Sequence, residues 1–258
     1  MLAALIFRGV AFEFRHKAVR KPTRLFWNGA FAYGSLTAAL AQGFILGGFI
    51  QGVEVEGRSY AGSAFDWFTP FSVLVALSVA GGYVLLGSCW LVLKTEGETQ
   101  MGSRKWARRA MIFVILAMGA VSLATLSIDP RVTERWGLNM EALEFGKFLT
   151  LAPIPMIAMI LFFFLWRDIW IRVEDAPDWR PMVYAAAIFL TGYLGLAISL
   201  FPSLVPFELD IWETAARDNA LMLMFVGAAI MLPVILGYTI YVYSLFWGKV
   251  DPDEAYHD

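Results

Sequence analysis

Six stretches of this chain are long and apolar enough to cross a lipid bilayer, and none of them contains a lysine, arginine, aspartate or glutamate. About 20 apolar residues let an α-helix cross the hydrocarbon core, and a helix satisfies its own backbone hydrogen bonds there. The pattern predicts an all-α polytopic membrane protein, with residues 1–258 forming a single integral-membrane domain. The six predicted spans are 27–51, 70–93, 110–128, 148–166, 182–204 and 220–247.

The composition of the chain supports this class. Of the 258 residues, 59% are hydrophobic and 16% are charged, whereas charged residues make up about 25% of an ordinary soluble domain. Little of the sequence is therefore left for a soluble domain outside the bilayer. The net charge of −2 argues against nucleic acid as a partner.

Residues 1–14 form a seventh apolar stretch, which is short and is interrupted by Arg8. A secretory signal carries its basic residues before the apolar run, whereas here they follow it, from Arg15 onward. We interpret residues 1–14 as a partial helix whose outer half is missing. The predicted fold is thus six full transmembrane helices preceded by an N-terminal half helix.

The distribution of basic residues predicts the orientation of the chain in the membrane. Of the 20 lysines and arginines, 14 lie in the segments 15–24, 94–109 and 167–180 or at Lys249, and five lie in the alternate loops. Basic residues are enriched on the cytoplasmic side of membrane proteins. We therefore expect these segments and the C-terminus to be cytoplasmic, and the loop that contains Glu208, Asp210 and Glu213 to face outward.

The residue types available exclude several kinds of redox and metal site. The two histidines, His16 and His257, lie outside the apolar runs, and Cys89 is the single cysteine. A haem clamped between two histidines, or a cluster held by several cysteines, needs ligands that this chain does not supply. We expect the chain alone to bind no haem and no metal. Polar side chains within the spans, such as Gln42, Tyr193, Tyr238 and Thr239, are better explained as helix–helix hydrogen bonds than as ligands.

Three ionisable residues near the N-terminus are candidates for function. Arg8 and Glu13 lie at or just inside the membrane, where a charge is costly. Glu13 and Lys17 are four residues apart on a continued helix and can form an ion pair. One interpretation is a helix anchored by this pair, with Arg8 reaching towards the interface. The other is a carboxylate at a cytoplasmic proton entrance, and the spacing alone leaves both interpretations open.

Several motifs resemble subunit II of the cytochrome bd-type quinol oxidases, including their cyanide-insensitive branch. The most specific is FRGVAFEFRHK at 7–17. Others follow in the same order along essentially the whole chain. They are GFIQG at 48–52, LKTEGE at 93–98, Phe201-Pro202 with Pro206, LPVILGYT at 232–239 and FWGK at 246–249.

The resemblance implies a fold of eight helices in two four-helix bundles, of which this chain would lack the first two helices and the outer half of the third. It also implies a heterodimer with a haem-bearing subunit I, which carries b-type haems and haem d, or b-type haems only. Small single-helix accessory subunits could join this heterodimer. Such a complex lies in the bacterial cytoplasmic (inner) membrane, oxidises a quinol such as ubiquinol and reduces dioxygen to water with cytoplasmic protons.

By residue match, the resemblance makes Glu13 a proton-path carboxylate. It makes Lys17 a group at the cytoplasmic mouth of that path, and Arg8 an ordered interior base. Subunit II itself would be a haem-free partner.

A small transporter or permease is the alternative function. Transporters commonly bind substrate at the bilayer midplane beside broken helices. Pro153, Pro155 and Pro233 could mark such breaks, but no charged residue lies beside them. The sequence offers no further substrate-binding pattern in their favour.

The orientation can be tested by cysteine labelling in intact cells. A cysteine placed at Ser103 should resist a membrane-impermeant reagent, because the basic segment around it is cytoplasmic, whereas one at Ser59 should react. The opposite pattern would mean that the orientation is inverted.

Overall fold

The computed structural model describes residues 1–53, 55, 56, 59–138, 145–173, 175–206, 208–246 and 248–250, and helices dominate it. Two antiparallel strand pairs, β1 with β2 and β3 with β4, lie in the connections. The helices are α1 Leu2–Lys17, α2 Lys21–Gln51, α3 Pro70–Lys94, α4 Gly97–Leu126, α5 Pro130–Arg135, α6 Phe145–Leu151, α7 Pro153–Trp166, α8 Arg180–Leu200 and α9 Asp218–Leu245. The strands are β1 Val55–Glu56, β2 Ser59–Tyr60, β3 Ser203–Val205 and β4 Leu209–Asp210.

Six helical segments within the described residues are long and apolar enough to cross a membrane, which confirms the predicted all-α polytopic class. These segments are Lys21–Gln51, Pro70–Lys94, Gly97–Leu126, Leu149–Ile171, Arg180–Leu200 and Asp218–Leu245. If residues 1–14 belonged to the third helix of the family and six spans followed, the family would have nine helices. This is one more than the eight helices that the resemblance implies. Those two expectations are therefore incompatible as they stand.

Several helices extend beyond the apolar runs that predicted them. Helix α4 begins at Gly97, so the basic segment that precedes residue 110 is helical rather than a loop. The turn between α3 and α4 is short because Gly97 adopts a left-handed backbone angle, with φ of 61°. Ser103 is buried by this extension, so Met101, which is 58% exposed, is the better labelling position at this end.

Capping residues fix the start of α3. Thr69 and Ser72 form a capping box, in which the Ser72 backbone N–H donates to Thr69 Oγ1 at 3.0 Å and the Thr69 N–H donates to Ser72 Oγ at 2.9 Å. Pro70 occupies the first turn, where its missing N–H has no cost. The Thr69 hydroxyl also donates to Gln51 Oε1, which ties the end of α2 to the start of α3.

The apolar core lies among α3, α4, α7 and α8. Its largest fully buried side chains include Leu85, Leu165 and Ile188, and Cys89 is buried among them. Helix α9 differs, because none of its described residues is buried. It touches the rest of the chain near its C-terminal end, where the rings of Trp90 and Tyr243 meet edge to face.

Helices α2 and α3 approach each other closely at two glycines of α2. A Cβ atom at Gly43 would overlap the backbone of Ala76, and one at Gly47 would overlap Ser72. Small residues at such positions let helix backbones come into contact within a membrane.

We predict that Gly43→Ala destabilises the chain by about 1–3 kcal/mol, because the added methyl group must push α3 away. The thermal unfolding midpoint of the detergent-solubilised chain measures this effect. Gly87→Ala is the matched control, since a Cβ at Gly87 in α3 meets nothing within 4 Å. Equal midpoints for the two variants would contradict the close contact.

Candidate functional site

The last turns of α1 bring two of the predicted site residues together. Lys17 Nζ lies 2.8 Å from Glu13 Oε1, as expected for residues four apart on a helix. Both side chains are largely exposed, at 69% for Lys17 and 63% for Glu13. Helix α1 ends at Lys17 because Ala18 is extended and α2 begins soon after, at Lys21. The carboxylate is therefore accessible from outside the chain and is held beside a base.

Arg8, the third predicted site residue, lies apart from this pair. Its guanidinium is 5.2 Å from the centre of the Phe31 ring of α2, a distance typical of cation–π contact. It forms no ion pair with any described residue. Gly34 makes room for this arrangement, because a Cβ atom at this position would lie closest to the Ala4 carbonyl oxygen and to Arg8. The site roles of Arg8, Glu13 and Lys17 stay predictions.

A cavity of about 420 Å³ opens beside Arg8, between α1, α2 and α3. Ser35, Gln42 and Tyr83 contribute polar groups to its lining. The Tyr83 hydroxyl donates to Gln42 Oε1 at 2.7 Å, so Gln42 forms a helix–helix hydrogen bond, as the sequence indicated. Thr239 instead donates to the Ile235 carbonyl of its own helix.

The sequence analysis missed a network of charged residues. This network lies near the end of α3 and the start of α4, at the opposite end of α3 from Thr69. Arg104 Nη2 lies 2.7 Å from Asp178 Oδ1, and Lys249 Nζ lies 2.7 Å from Asp178 Oδ2 and 3.4 Å from Glu96 Oε1. The hydrogen bond to Asp178 is the largest cause that raises the pKa of Lys249. Lys94 donates to the carbonyl oxygens of Phe246 and Gly248. These bonds attach the segment after α9 to α3 and α4.

A buried carboxylate at the end of α7 was also missed. Helix α7 continues into a π-helical turn, Arg167–Ile171, which places Asp168 in the interior with no exposed surface. The sequence analysis placed this residue in the basic segment 167–180, outside the predicted span 148–166. One sequence signal could have located Asp168. The charged pair Arg167-Asp168 is flanked by apolar residues, with Trp166 before the pair and Ile169 and Trp170 after it.

The described residues contain no histidine pair and no cluster of three metal-ligating side chains. His16 lies in the last turn of α1 with its ring 5.5 Å from the centre of the Phe12 ring, and His257 falls outside the described residues. No three histidine, cysteine, aspartate or glutamate side chains in the described part of the chain come close enough to hold a metal ion. The described residues therefore supply no pair of histidines at membrane depth that could act as axial ligands of a haem iron.

Comparison with known proteins identifies the family. The family model for cytochrome bd terminal oxidase subunit II matches residues 1–246. The cytochrome bd-I ubiquinol oxidase subunit 2 of Escherichia coli (strain K12) is 25% identical over 282 residues, which cover 98% of this chain and 73% of that protein. The cytochrome bd ubiquinol oxidase subunit 2 of Bacillus subtilis (strain 168) is 24% identical over 261 residues, which cover 98% and 72%.

The fold agrees with these similarities. The structure of bd oxidase from Geobacillus thermodenitrificans superposes with a TM-score of 0.72 at 15% identity, and the match covers 95% of this chain and 71% of that one. Together with the six membrane-crossing helices, these similarities make the chain a multi-pass membrane protein. The chain belongs to the cytochrome bd terminal oxidase subunit II family.

Proposed function

We propose that this chain is the haem-free subunit II of a quinol:dioxygen oxidoreductase. It supports a haem-bearing subunit I and contributes to the uptake of cytoplasmic protons for the reduction of oxygen to water. The observation that carries this proposal is the family match over residues 1–246. The lack of a histidine pair at membrane depth in the described residues supports the haem-free role.

The partner supplies the redox chemistry in this proposal. Subunit I binds haem b and haem d, or b-type haems only, and takes electrons from ubiquinol, the substrate class named in the relatives. The two chains form a heterodimer in the bacterial cytoplasmic membrane, with room for small single-helix accessory subunits. The C-terminus of this chain faces the cytoplasm, as its basic segments indicate.

Glu13 is the proposed entrance for protons. Its exposed carboxylate accepts a proton from cytoplasmic water, and the neighbouring base Lys17 stabilises the ionised form between transfers. The proton then moves inward along α1 towards the cavity beside Arg8, whose polar lining groups Ser35, Gln42 and Tyr83 can donate and accept hydrogen bonds. Arg8, an ordered interior base by the family resemblance, lies beside this cavity.

The transporter alternative has less support. Helix α9 runs continuously from Asp218 to Leu245 through Pro233, whereas transporter binding sites are typically built from discontinuous helices. Pro153 and Pro155 follow an interruption at Ala152 between α6 and α7, but no charged residue that could bind a substrate lies beside them. Uptake of a substrate by this chain alone would favour the transporter.

We predict that Glu13→Gln lowers quinol oxidase turnover in the co-expressed complex, because the amide keeps the shape of the carboxyl group but cannot exchange a proton. Glu13→Asp should retain much of the activity, since its carboxyl group still ionises. Oxygen consumption is the measurement, and haem content verifies that each complex has assembled.

Lys17→Met separates this role from helix anchoring. It removes the ion pair but leaves the Glu13 carboxyl group in place. If the pair only anchors α1, the Gln and Met variants should both consume oxygen at the parent rate. Unchanged turnover in Glu13→Gln would therefore contradict the proton role.

A further inference from the structure

The π-helical turn at the end of α7 holds an ionisable side chain that the proposed route along α1 does not use. Asp168 is fully buried, and it lies at one end of the apolar segment Leu149–Ile171. An ionisable residue within a membrane span is costly and typically functional. π-helical turns are rare and are frequent at functional sites.

The two oxygens of this carboxylate have different surroundings. Oδ1 accepts hydrogen bonds from Nε and Nη2 of the adjacent Arg167, both at 3.0 Å. Oδ2 is closed to solvent and has no hydrogen-bond partner among the described residues. A buried polar atom that has lost its water and gained no partner destabilises the folded state. Oδ2 is therefore a strong acceptor without a donor.

Several charged residues on the elements packed against this turn bond to groups other than the Asp168 carboxylate. Helix α7 contains no charged residue. On α4, Arg108 donates from Nε and Nη2 to the Ile169 carbonyl, and Arg104 pairs with Asp178. The Nη1 group of Arg104 is also buried without a partner, but it forms no ion pair with Asp168. Helix α8 begins with Arg180, whose guanidinium lies over the Trp179 ring.

We propose that Asp168 reversibly takes up a proton at Oδ2 from the cytoplasmic side and is a second carboxylate in the proton supply of the oxidase. This inference rests on the proposed function and orientation. In the step, a hydronium ion that enters from the cytoplasmic side and comes within hydrogen-bond distance of Oδ2 gives its proton to this oxygen, an O–H bond forms there and a water molecule leaves. Arg167 keeps its two bonds to Oδ1. A proton suits this position because it needs no additional space in a closed interior.

Infrared difference spectroscopy on the complex co-expressed with its haem-bearing subunit tests the proton uptake. As the pH is lowered, the parent complex should gain a C=O stretching band from a buried protonated carboxyl group. Asp168→Asn should lose this band, and Asp168→Glu should shift it. Asp175→Asn is the matched control, because Asp175 is an exposed carboxylate in the segment that follows the same turn, and it should keep the band.

Oxygen consumption as a function of pH tests the link to the oxidase. Asp168→Asn should lose more turnover at alkaline pH, where protons are scarce, than at acidic pH, while Asp175→Asn keeps the parent profile. An unchanged band or an unchanged pH profile in Asp168→Asn overturns the inference. If Asp168→Asn loses its haem, Asp168→Glu is the deciding variant, since an unshifted band in Asp168→Glu overturns the inference as well.

A parent complex that contains haem but consumes no oxygen with quinol would instead contradict the proposed function, and its carboxyl band could still be measured.

Discussion

The hydrocarbon core of the bilayer is the constraint on which the rest of this structure depends. A charged group there is costly, and every backbone N–H and C=O group must find a partner within the protein. The chain meets this constraint with six apolar helical segments. It places its ion pairs near the helix ends, as with Glu13 and Lys17 on α1 and Arg104 with Asp178 beside α4. Among the described residues, the ion pairs therefore lie near the ends of the membrane-crossing helices or in the connections between them.

The sequence was sufficient to predict the features that follow from local periodicity. The six spans and the Glu13–Lys17 pair depend on run length and on a four-residue spacing, and both are present in the structure. The bond between Gln42 and Tyr83 also agrees with the expected use of polar residues within spans. These features need no knowledge of which helix packs against which.

The features that the sequence did not reveal depend on tertiary packing. Asp168 is adjacent to a basic residue and was assigned to a loop, but the π-helical turn and its packing against α4 and α8 bury it. The network around Asp178 joins residues more than 70 positions apart in sequence. No spacing rule predicts such contacts. The helical extension of α4 through its basic residues was missed for a related reason, because apolar runs mark the bilayer and not the ends of helices.

The family membership gives these features a common setting. A chain whose described residues offer no histidine pair to a haem belongs to a family of terminal oxidase subunits, so the proposal divides the work between two chains. In this proposal, the partner holds the haems, and this chain contributes structure and protonatable groups at the proposed cytoplasmic ends of its helices. Glu13 and Asp168 lie on different helices, and their proposed roles can therefore be separated by single substitutions.

The most direct measurement is the absorption spectrum of material purified through a tag on this chain, with and without co-expression of the haem-bearing subunit. The account predicts a Soret band and quinol-dependent oxygen consumption when both subunits are present, and neither when this chain is alone. A stoichiometric Soret band in the single chain, or haem-free material from cells that produce both subunits, would contradict it.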